Sequence, residues 1–250
     1  MAIPKKIHQT WKNADIPFDI YKKRWIDSWK KNNPGWEYKL WTDEENRVFI
    51  EKNYNWFLKI YDGYPMPIQR ADAVRYFLLF HYGGLYVDLD FECLKNIDPL
   101  LEGNDLLFGK INDSKNFSDS IPNAFMASSK NNKFWLEIFR ELEKNKNAKR
   151  VEESTGPAML TKTIRSYCFK KNIHKADIIE SKLLYPVDWT KNGIYANNLS
   201  NNIMENPSKE YPDAFAITYW THNWKDIPAK KNLGKILINK FKSLMASFLS

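Results

Sequence analysis

The strongest constraint on the fold is a change of hydrophobic period across the pair Gly83-Gly84. Upstream of this pair, apolar residues recur at helical spacing up to Tyr82, and Pro67 suits the first turn of such a helix. Downstream, residues 85–90 have the pattern of a strand. Glycine ends helices readily because it adopts backbone conformations that other residues avoid. The change of period at the glycine pair therefore predicts a helix that ends sharply and is followed directly by a strand.

The other periodic segments alternate in the same way. Strands are predicted at 6–11, 36–41, 106–111, 124–128 and 214–220, and helices at 20–31, 133–144 and 158–171. Such alternation favours a layered α/β sheet with helices packed on it. The polar stretches 112–120 and 197–208 predict surface loops within one catalytic domain, which we place at residues 1–228.

The segment 229–250 differs from the rest of the chain. Its apolar residues fall on one helical face, and several lysines lie elsewhere on the helix. We therefore predict a basic amphipathic C-terminal helix. It either packs on the domain or lies in a membrane interface, where its lysines contact anionic lipid headgroups.

Charge and cysteine content narrow the class of protein. A net charge of +8 attracts polyanions, whether nucleic acid, anionic lipid or the diphosphate of a small ligand. The two cysteines, Cys93 and Cys168, match neither a zinc ribbon nor a disulfide scaffold. The sequence also contains neither a signal-peptide pattern nor an apolar run of about 20 residues. We expect a cytoplasmic protein, with residues 229–250 suited to peripheral contact with the inner face of the membrane.

Asp88 and Asp90 are the residues best suited to chemistry. In a strand their side chains point to one side, together with Tyr86. Close carboxylates repel each other unless a cation lies between them, and their oxygens suit Mg²⁺ or Mn²⁺ that carries substrate phosphates. A solvated turn is the commoner explanation of an isolated Asp-x-Asp. Asp72 and Arg75, on one face of the preceding helix, add two charges, although by themselves they would be an exposed ion pair.

Four stretches together resemble the signature of the DXD-containing sugar transferases. Two of them are 70–76 (RADAVRY) and 82–90 (YGGLYVDLD), and the stretches 3–11 and 33–41 are similar to the first two strands of that family. The family includes the yeast initiating α-1,6-mannosyltransferase, inositol-phosphoceramide mannosyltransferases and bacterial capsule or lipopolysaccharide enzymes. The glucosylating domains of large clostridial toxins share the same pattern of Asp, Arg, Tyr, Asp and Asp. The resemblance implies a glycosyltransferase A-type fold, with a Rossmann-like mixed sheet flanked by helices.

The resemblance also implies roles for individual residues. Asp88, Asp90 and Arg75 would be catalytic, and the cofactor would be Mn²⁺ or Mg²⁺. Asp90 would ligate the metal directly, and Asp88 would contact the metal, the ribose or the sugar hydroxyls. His222 would supply a third metal ligand, unless it is an exposed loop histidine.

The donor site implied by the family involves both ends of the chain. Asp72 and Arg75 would hold the ribose and the sugar, Tyr86 would contact the nucleotide, and Trp11 would stack on the base. The full set of implied donor-binding residues is Gln9, Thr10, Trp11, Asp72, Arg75, Tyr86, Asp88 and Lys225.

Some positions are less well defined by the resemblance. The family follows its histidine with a Ser-Trp pair that helps to bind the diphosphate, whereas this chain has Asn-Trp-Lys at 223–225, so Lys225 is the substitute we expect. Asn123, Gly156 and Pro157 match family positions on the sugar or acceptor side. Equally, Asn123 would serve to cap a turn, and Gly156 and Pro157 would serve to start the next helix.

We therefore expect a retaining, metal-dependent enzyme that moves a hexose from a nucleotide-sugar to a glycan or lipid-linked acceptor, in surface polysaccharide synthesis. UDP-galactose or UDP-glucose is the preferred donor, with GDP-mannose next. One alternative is a non-catalytic module that binds a nucleotide-sugar or glycan. Another is a metal-dependent phosphohydrolase or a nucleic-acid-binding protein, although the sequence contains no P-loop, zinc finger, RNP or helix-turn-helix signature. We therefore expect no nucleic-acid partner.

Overall fold

The computed structural model describes residues 1–18, 23–111, 121–170, 176–187 and 206–221. The strands are β1 (Lys6–Thr10), β2 (Glu37–Trp41), β3 (Gly84–Val87), β4 (Phe91–Cys93), β5 (Leu106–Gly109), β6 (Phe125–Ser128), β7 (Asp177–Ile179) and β8 (Ala216–Thr218). The helices are α1 (Lys23–Asn32), α2 (Asp43–Asn53), α3 (Asn55–Gly63), α4 (Pro67–Tyr82), α5 (Asp98–Leu101), α6 (Phe134–Lys144), α7 (Val151–Ser154), α8 (Pro157–Lys170), α9 (Ser181–Leu184) and α10 (Pro207–Glu210).

Six of the strands form a mixed sheet in the order β2-β1-β3-β6-β5-β7. β1 runs parallel to β2 and β3, and β7 runs parallel to β5. β6 runs antiparallel to both β3 and β5. β4 and β8 form a separate antiparallel pair. The mixed sheet flanked by helices confirms the predicted fold class.

The elements predicted from the sequence are present, with ends displaced by a few residues. The principal correction concerns 85–90, because β3 ends at Val87 and the following residues form a turn. The predicted loop 112–120, most of the loop 197–208 and the helix 229–250 lie outside the described residues. Among the described helices, none combines the length and the apolar character that crossing a bilayer requires.

Alternating residues of the central strands face two different apolar cores. Met126 and Phe108 belong to the core beneath α4 and α6, whereas Phe125 and Leu107 belong to the core on the opposite side. A strand covered on both faces needs apolar residues at consecutive positions, because successive side chains point in opposite directions. This requirement explains why β3, β5 and β6 are built almost entirely of residues without polar side chains.

The glycine pair after α4 allows two backbones to approach closely. Gly83 and Gly84 have φ values of 67° and 95°. A Cβ atom on Gly84 would lie 2.4 Å from the main-chain oxygen of Lys6, the first residue of β1. The pair therefore both ends α4 and lets β3 lie beside β1 at the centre of the sheet.

His8 packs inside β1 and stays neutral there. The indole of Trp41 donates to its Nδ1 at 3.1 Å, so Nε2 carries the proton and donates to the carbonyl of Gly83 at 3.0 Å. Burial lowers the pKa of His8 to about 4, and the charges of Lys6 and Lys39 act in the same direction. A second proton on the ring would lie on Nδ1 and would point at the N–H group of Trp41, so protonation of His8 is disfavoured.

We expect this histidine to make stability depend on pH. Its folded pKa of about 4 lies below the ordinary value of 6.5, so the unfolded chain binds more protons between these values. The contribution of His8 to the free energy of unfolding is fully present above pH 6.5 and is lost as the pH falls towards 4. The loss is about 2 kcal/mol between pH 6.5 and pH 5. Urea unfolding of the wild type and of His8→Gln at pH 6.5 and at pH 5 measures this loss. A constant difference between the two proteins would contradict the prediction.

Candidate active site

Asp88 and Asp90 lie in a turn between the central strand β3 and the short strand β4. The amide of Phe91 donates to the main-chain oxygen of Asp88 at 3.2 Å, and the amide of Asp88 donates to the main-chain oxygen of Ala124 at 2.9 Å. The strand period that predicted a common side for the two aspartates therefore does not apply. A turn, together with its neighbours from other elements, sets their geometry.

The Asp88 carboxylate is held by two side chains. Its Oδ1 accepts from the hydroxyl of Tyr86 at 2.9 Å and lies 3.1 Å from Nη1 of Arg75. About 35% of the Asp88 side chain remains exposed, so the group still faces the open side of the site. Burial raises the pKa of Asp88, although Arg75 and Tyr86 oppose the shift.

Asp90 is held by a segment that is distant in sequence. Its Oδ2 accepts from the amide of Thr221 at 3.0 Å and from the Thr221 hydroxyl at 3.3 Å. The pairing of β4 with β8 brings these segments together, and the amide of Tyr219 donates to the main-chain oxygen of Asp90 at 2.9 Å. Burial, followed by the neighbouring charge of Asp88, raises the pKa of Asp90 to about 6.

An unusual backbone conformation presents Thr221 to Asp90. Trp220 has a φ of 49°, in the left-handed region that bulky residues rarely adopt. This turn follows directly after β8 and is followed by the threonine that donates twice to Asp90. The sequence analysis did not identify Thr221, because a threonine beyond an apolar strand carries no local signal of the carboxylate that it contacts.

Arg75 is a buried cation that joins two carboxylates. Only 3% of the residue is exposed, and its Nη2 lies 3.1 Å from Oδ1 of Asp72 while Nη1 approaches Asp88. Nη1 also donates to the main-chain oxygen of Asn123 at 2.8 Å, and the guanidinium lies 4.5 Å from the centre of the Tyr86 ring. The exposed ion pair considered in the sequence analysis is therefore wrong, because α4 is buried on the face that carries these residues.

Asp72 accepts three side-chain contacts in the interior. Besides Arg75, the Asn123 amide donates to Oδ1 at 2.9 Å and the Thr155 hydroxyl donates to Oδ2 at 3.1 Å. Burial raises the pKa of Asp72 to about 6, against the opposing charge of Arg75. Gly156 is also close, since a Cβ atom there would lie 3.5 Å from Oδ2 of Asp72.

Two of the residues predicted on the acceptor side, Asn123 and Gly156, thus lie beside Asp72. Asn123 also donates to the hydroxyl of Tyr76 at 3.1 Å, and both its amide and its carbonyl are engaged by α4. These contacts are not those of a residue that caps a turn, which was the alternative interpretation of Asn123. Pro157 is the first residue of α8, directly after Gly156, as the helix-start alternative expected.

The end of β1 contributes the predicted nucleotide side of the site. The side-chain amide of Gln9 donates to the main-chain oxygen of Asp88 at 3.2 Å, and its Oε1 accepts from the hydroxyl of Tyr38 at 2.7 Å. The Thr10 hydroxyl lies 3.0 Å from the hydroxyl of Tyr86. The structure therefore brings Gln9 and Thr10 together with the aspartate turn. Trp11 follows at the same end of β1, partly exposed, with its indole N–H donating to the main-chain oxygen of Asp15 at 3.2 Å.

The donor atoms at the turn fit a hard divalent cation. Burial disfavours the charge on both Asp88 and Asp90, and Asp88 raises the pKa of Asp90 further, so a cation between them would offset both effects. Within the described residues, no cluster of three His, Cys, Asp or Glu side chains could hold a metal ion. His222 and Lys225 lie outside those residues, so their roles stay predictions.

Comparison with known proteins agrees with this geometry. Residues 20–107 match the family described as "Glycosyltransferase sugar-binding region containing DXD motif". A protein of Acanthamoeba polyphaga mimivirus, named as an uncharacterized glycosyltransferase, is 30% identical over 188 residues, which cover 74% of this chain and 73% of that protein.

Two fungal relatives are more similar over shorter shares of their length. Inositol phosphoceramide mannosyltransferase 3 of Schizosaccharomyces pombe is 43% identical over 144 residues, 56% of this chain and 37% of that protein. A mannosyl phosphorylinositol ceramide synthase of Saccharomyces cerevisiae is 35% identical over 195 residues, 75% of this chain and 48% of that protein. This chain spans less than half the length of each.

Solved structures give the fold. The ligand-free glycosyltransferase domain of the YGT toxin aligns with a TM-score of 0.51 at 10% identity, over 85% of this chain and 89% of that one. The UDP-bound form of the same domain aligns with a TM-score of 0.50. The aspartate turn, the buried arginine and these similarities lead to one conclusion: the chain belongs to the DXD-containing family of glycosyltransferases and has their GT-A fold.

Proposed function

We propose that this protein transfers a hexose, with retention of configuration, from a nucleotide-sugar to a hydroxyl of a glycan or lipid-linked acceptor, with Mn²⁺ or Mg²⁺ as cofactor. The observation that carries the proposal is the chain of charges Asp72–Arg75–Asp88, of which Asp72 and Arg75 are buried, with Asp90 in the same turn as Asp88. Burying charged groups costs desolvation free energy that apolar residues of similar size would not, and perturbed carboxylates of this kind cluster at functional sites.

The names of the relatives bear on the donor and the acceptor. The fungal proteins are named for mannose transfer and for inositol phosphoceramide. They favour GDP-mannose over the UDP-hexoses preferred from the sequence, and a lipid headgroup as the acceptor. The UDP-bound toxin domain is too distant, at 10% identity, to argue for UDP.

The residues of the chain have separable tasks in this proposal. When bound, the divalent ion would neutralise charge on the leaving nucleoside diphosphate. Asp90 and Asp88 would hold it through their carboxylate oxygens, with Asp90 oriented by Thr221 and Asp88 oriented by Arg75.

Asp72 supplies the remaining carboxylate of the network. Asn123 and Thr155 fix its two oxygens in the interior, and we expect it to orient the transferred sugar from there. Orientation of this kind lowers the barrier because the reacting groups lose less entropy on reaching the transition state.

A donor screen tests the proposal. We expect hydrolysis of GDP-mannose in the presence of Mn²⁺, with slower hydrolysis of UDP-galactose and UDP-glucose, and a loss of turnover when the ion is removed by a chelator. Turnover that persists without a divalent ion would exclude the metal role. Tight donor binding without hydrolysis or transfer would favour the non-catalytic module, and salt-dependent RNA binding without nucleotide-sugar binding would favour the nucleic-acid alternative.

A further inference from the structure

The hydroxyl of Tyr185 is buried beside the aspartate turn and has no hydrogen-bond partner among the described residues. The residue follows α9 and is 3% exposed. Its Oη is one of the few buried side-chain atoms that remain unpaired among the described residues. Buried hydroxyl groups are paired in the great majority of cases, because an unpaired group loses its hydration without replacement. This tyrosine therefore differs from ordinary core residues.

The ring of Tyr185 packs against both segments that hold Asp90. Phe91, the residue after Asp90, meets it edge to face with the ring centres 5.4 Å apart. Trp220, the residue before Thr221, lies 5.7 Å from it. On a third side, Gly109 leaves room for the ring, since a Cβ atom there would lie 2.7 Å from Cε2 of Tyr185. These contacts fix the ring next to the turn.

The charges of Asp88 and Asp90 act on the hydroxyl of Tyr185. Burial raises the pKa of Tyr185 well above its ordinary value, and the charges of Asp88 and Asp90 raise it further. The hydroxyl therefore lies in the field of both carboxylates, yet it donates to neither. A phenol hydroxyl is protonated at neutral pH, so it can donate a hydrogen bond.

We propose that the Tyr185 hydroxyl donates a hydrogen bond to an oxygen of the donor's sugar–diphosphate group. The inference rests on the proposed function and adds a substrate-contacting residue to it. A protonated phenol among carboxylates suits an acceptor that arrives with the substrate, either a phosphate oxygen or a sugar hydroxyl. The geometry combines a fixed ring, an unpaired donor group and a position between the two segments that orient Asp90.

The substitution Tyr185→Phe tests the inference because it removes only the unpaired hydroxyl. In the free protein the thermal midpoint should stay unchanged or rise, since a buried unsatisfied group is lost. Binding of GDP-mannose in the presence of Mn²⁺ should weaken by about 10- to 100-fold for a bond to a charged phosphate oxygen, and by about 2- to 10-fold for a bond to a neutral sugar hydroxyl. A residue with a merely structural role would not weaken binding while preserving the midpoint. The matched control is Tyr54→Phe, whose hydroxyl pairs with His81, and its donor affinity should equal that of the wild type.

Titration with GDP alone separates the two acceptors. Equal weakening for GDP and GDP-mannose assigns the bond to the diphosphate, and weakening for GDP-mannose alone assigns it to the sugar. Wild-type affinity for both ligands in the folded variant would overturn the inference and leave the proposed function intact. If the wild type binds neither these ligands nor UDP-hexoses, the proposed function and this inference fail together.

Discussion

Replacing Asp90 with asparagine is expected to lower the rate of sugar transfer by at least about 100-fold while leaving the fold intact. The amide oxygen of asparagine can still accept both hydrogen bonds from Thr221, so the turn keeps its anchor. The amide group that replaces the other carboxylate oxygen cannot ligate a cation. The loss of one negative charge beside Asp88 also removes a repulsion, so the free energy of unfolding should not fall.

Initial rates with GDP-mannose and Mn²⁺, measured beside a urea unfolding curve, check this prediction. Asp98→Asn provides the control, since Asp98 contacts Lys5 at the surface and its loss should leave the rate unchanged. A folded Asp90→Asn protein that transfers sugar at the wild-type rate would exclude the proposed metal ligand.

Replacing Arg75 with methionine is expected to lower the free energy of unfolding by about 3–5 kcal/mol. The change leaves Asp72 buried without its positive neighbour and removes the donor to the main-chain oxygen of Asn123. The partly exposed Asp88 loses a partner as well, but water compensates it better. Arg75→Lys should recover only part of the loss, because one ammonium group cannot span both carboxylates as the planar guanidinium does.

Urea denaturation at pH 7 measures the effect of Arg75. The matched control is Arg47→Met, because Arg47 also pairs with a carboxylate, that of Asp62, but at the surface. The urea midpoint of this variant should stay close to that of the wild type. Adding Asp72→Asn to Arg75→Met should restore part of the stability by removing the uncompensated charge. Equal midpoints for the Arg75 and Arg47 variants would show that the buried network contributes nothing to folding.

Local patterns predicted the central part of the fold well. Pro67 and the pair Gly83-Gly84 marked the bounds of α4, since a fixed φ suits a first turn and a left-handed φ suits a helix end. The helices at 43–63 were not predicted. In α2 the apolar residues Val48, Phe49 and Ile50 are consecutive and the others are polar, and α3 has only nine residues, so neither shows a clear helical period.

The site was predicted in its residue types more than in its geometry. Asp72, Arg75, Tyr86 and Asp88 do meet, but in a buried network and not in an exposed pair next to a strand. Burial decides this difference, and burial is a property of how α4 packs between the sheet and α6. The spacing of residues along one helix cannot report it.

The sequence alone determined the helix, the glycine pair and the strand that lead to the two aspartates, because each depends on the conformational preference of a few neighbouring residues. Only the tertiary structure decided what surrounds the carboxylates: Thr221 reaches Asp90 through the pairing of β4 with β8, and Tyr185 reaches the turn beside Phe91. These contacts join segments about 100 residues or more apart in the chain. They arise from packing that stabilises the whole domain, and the local hydrophobic period of the sequence does not depend on them.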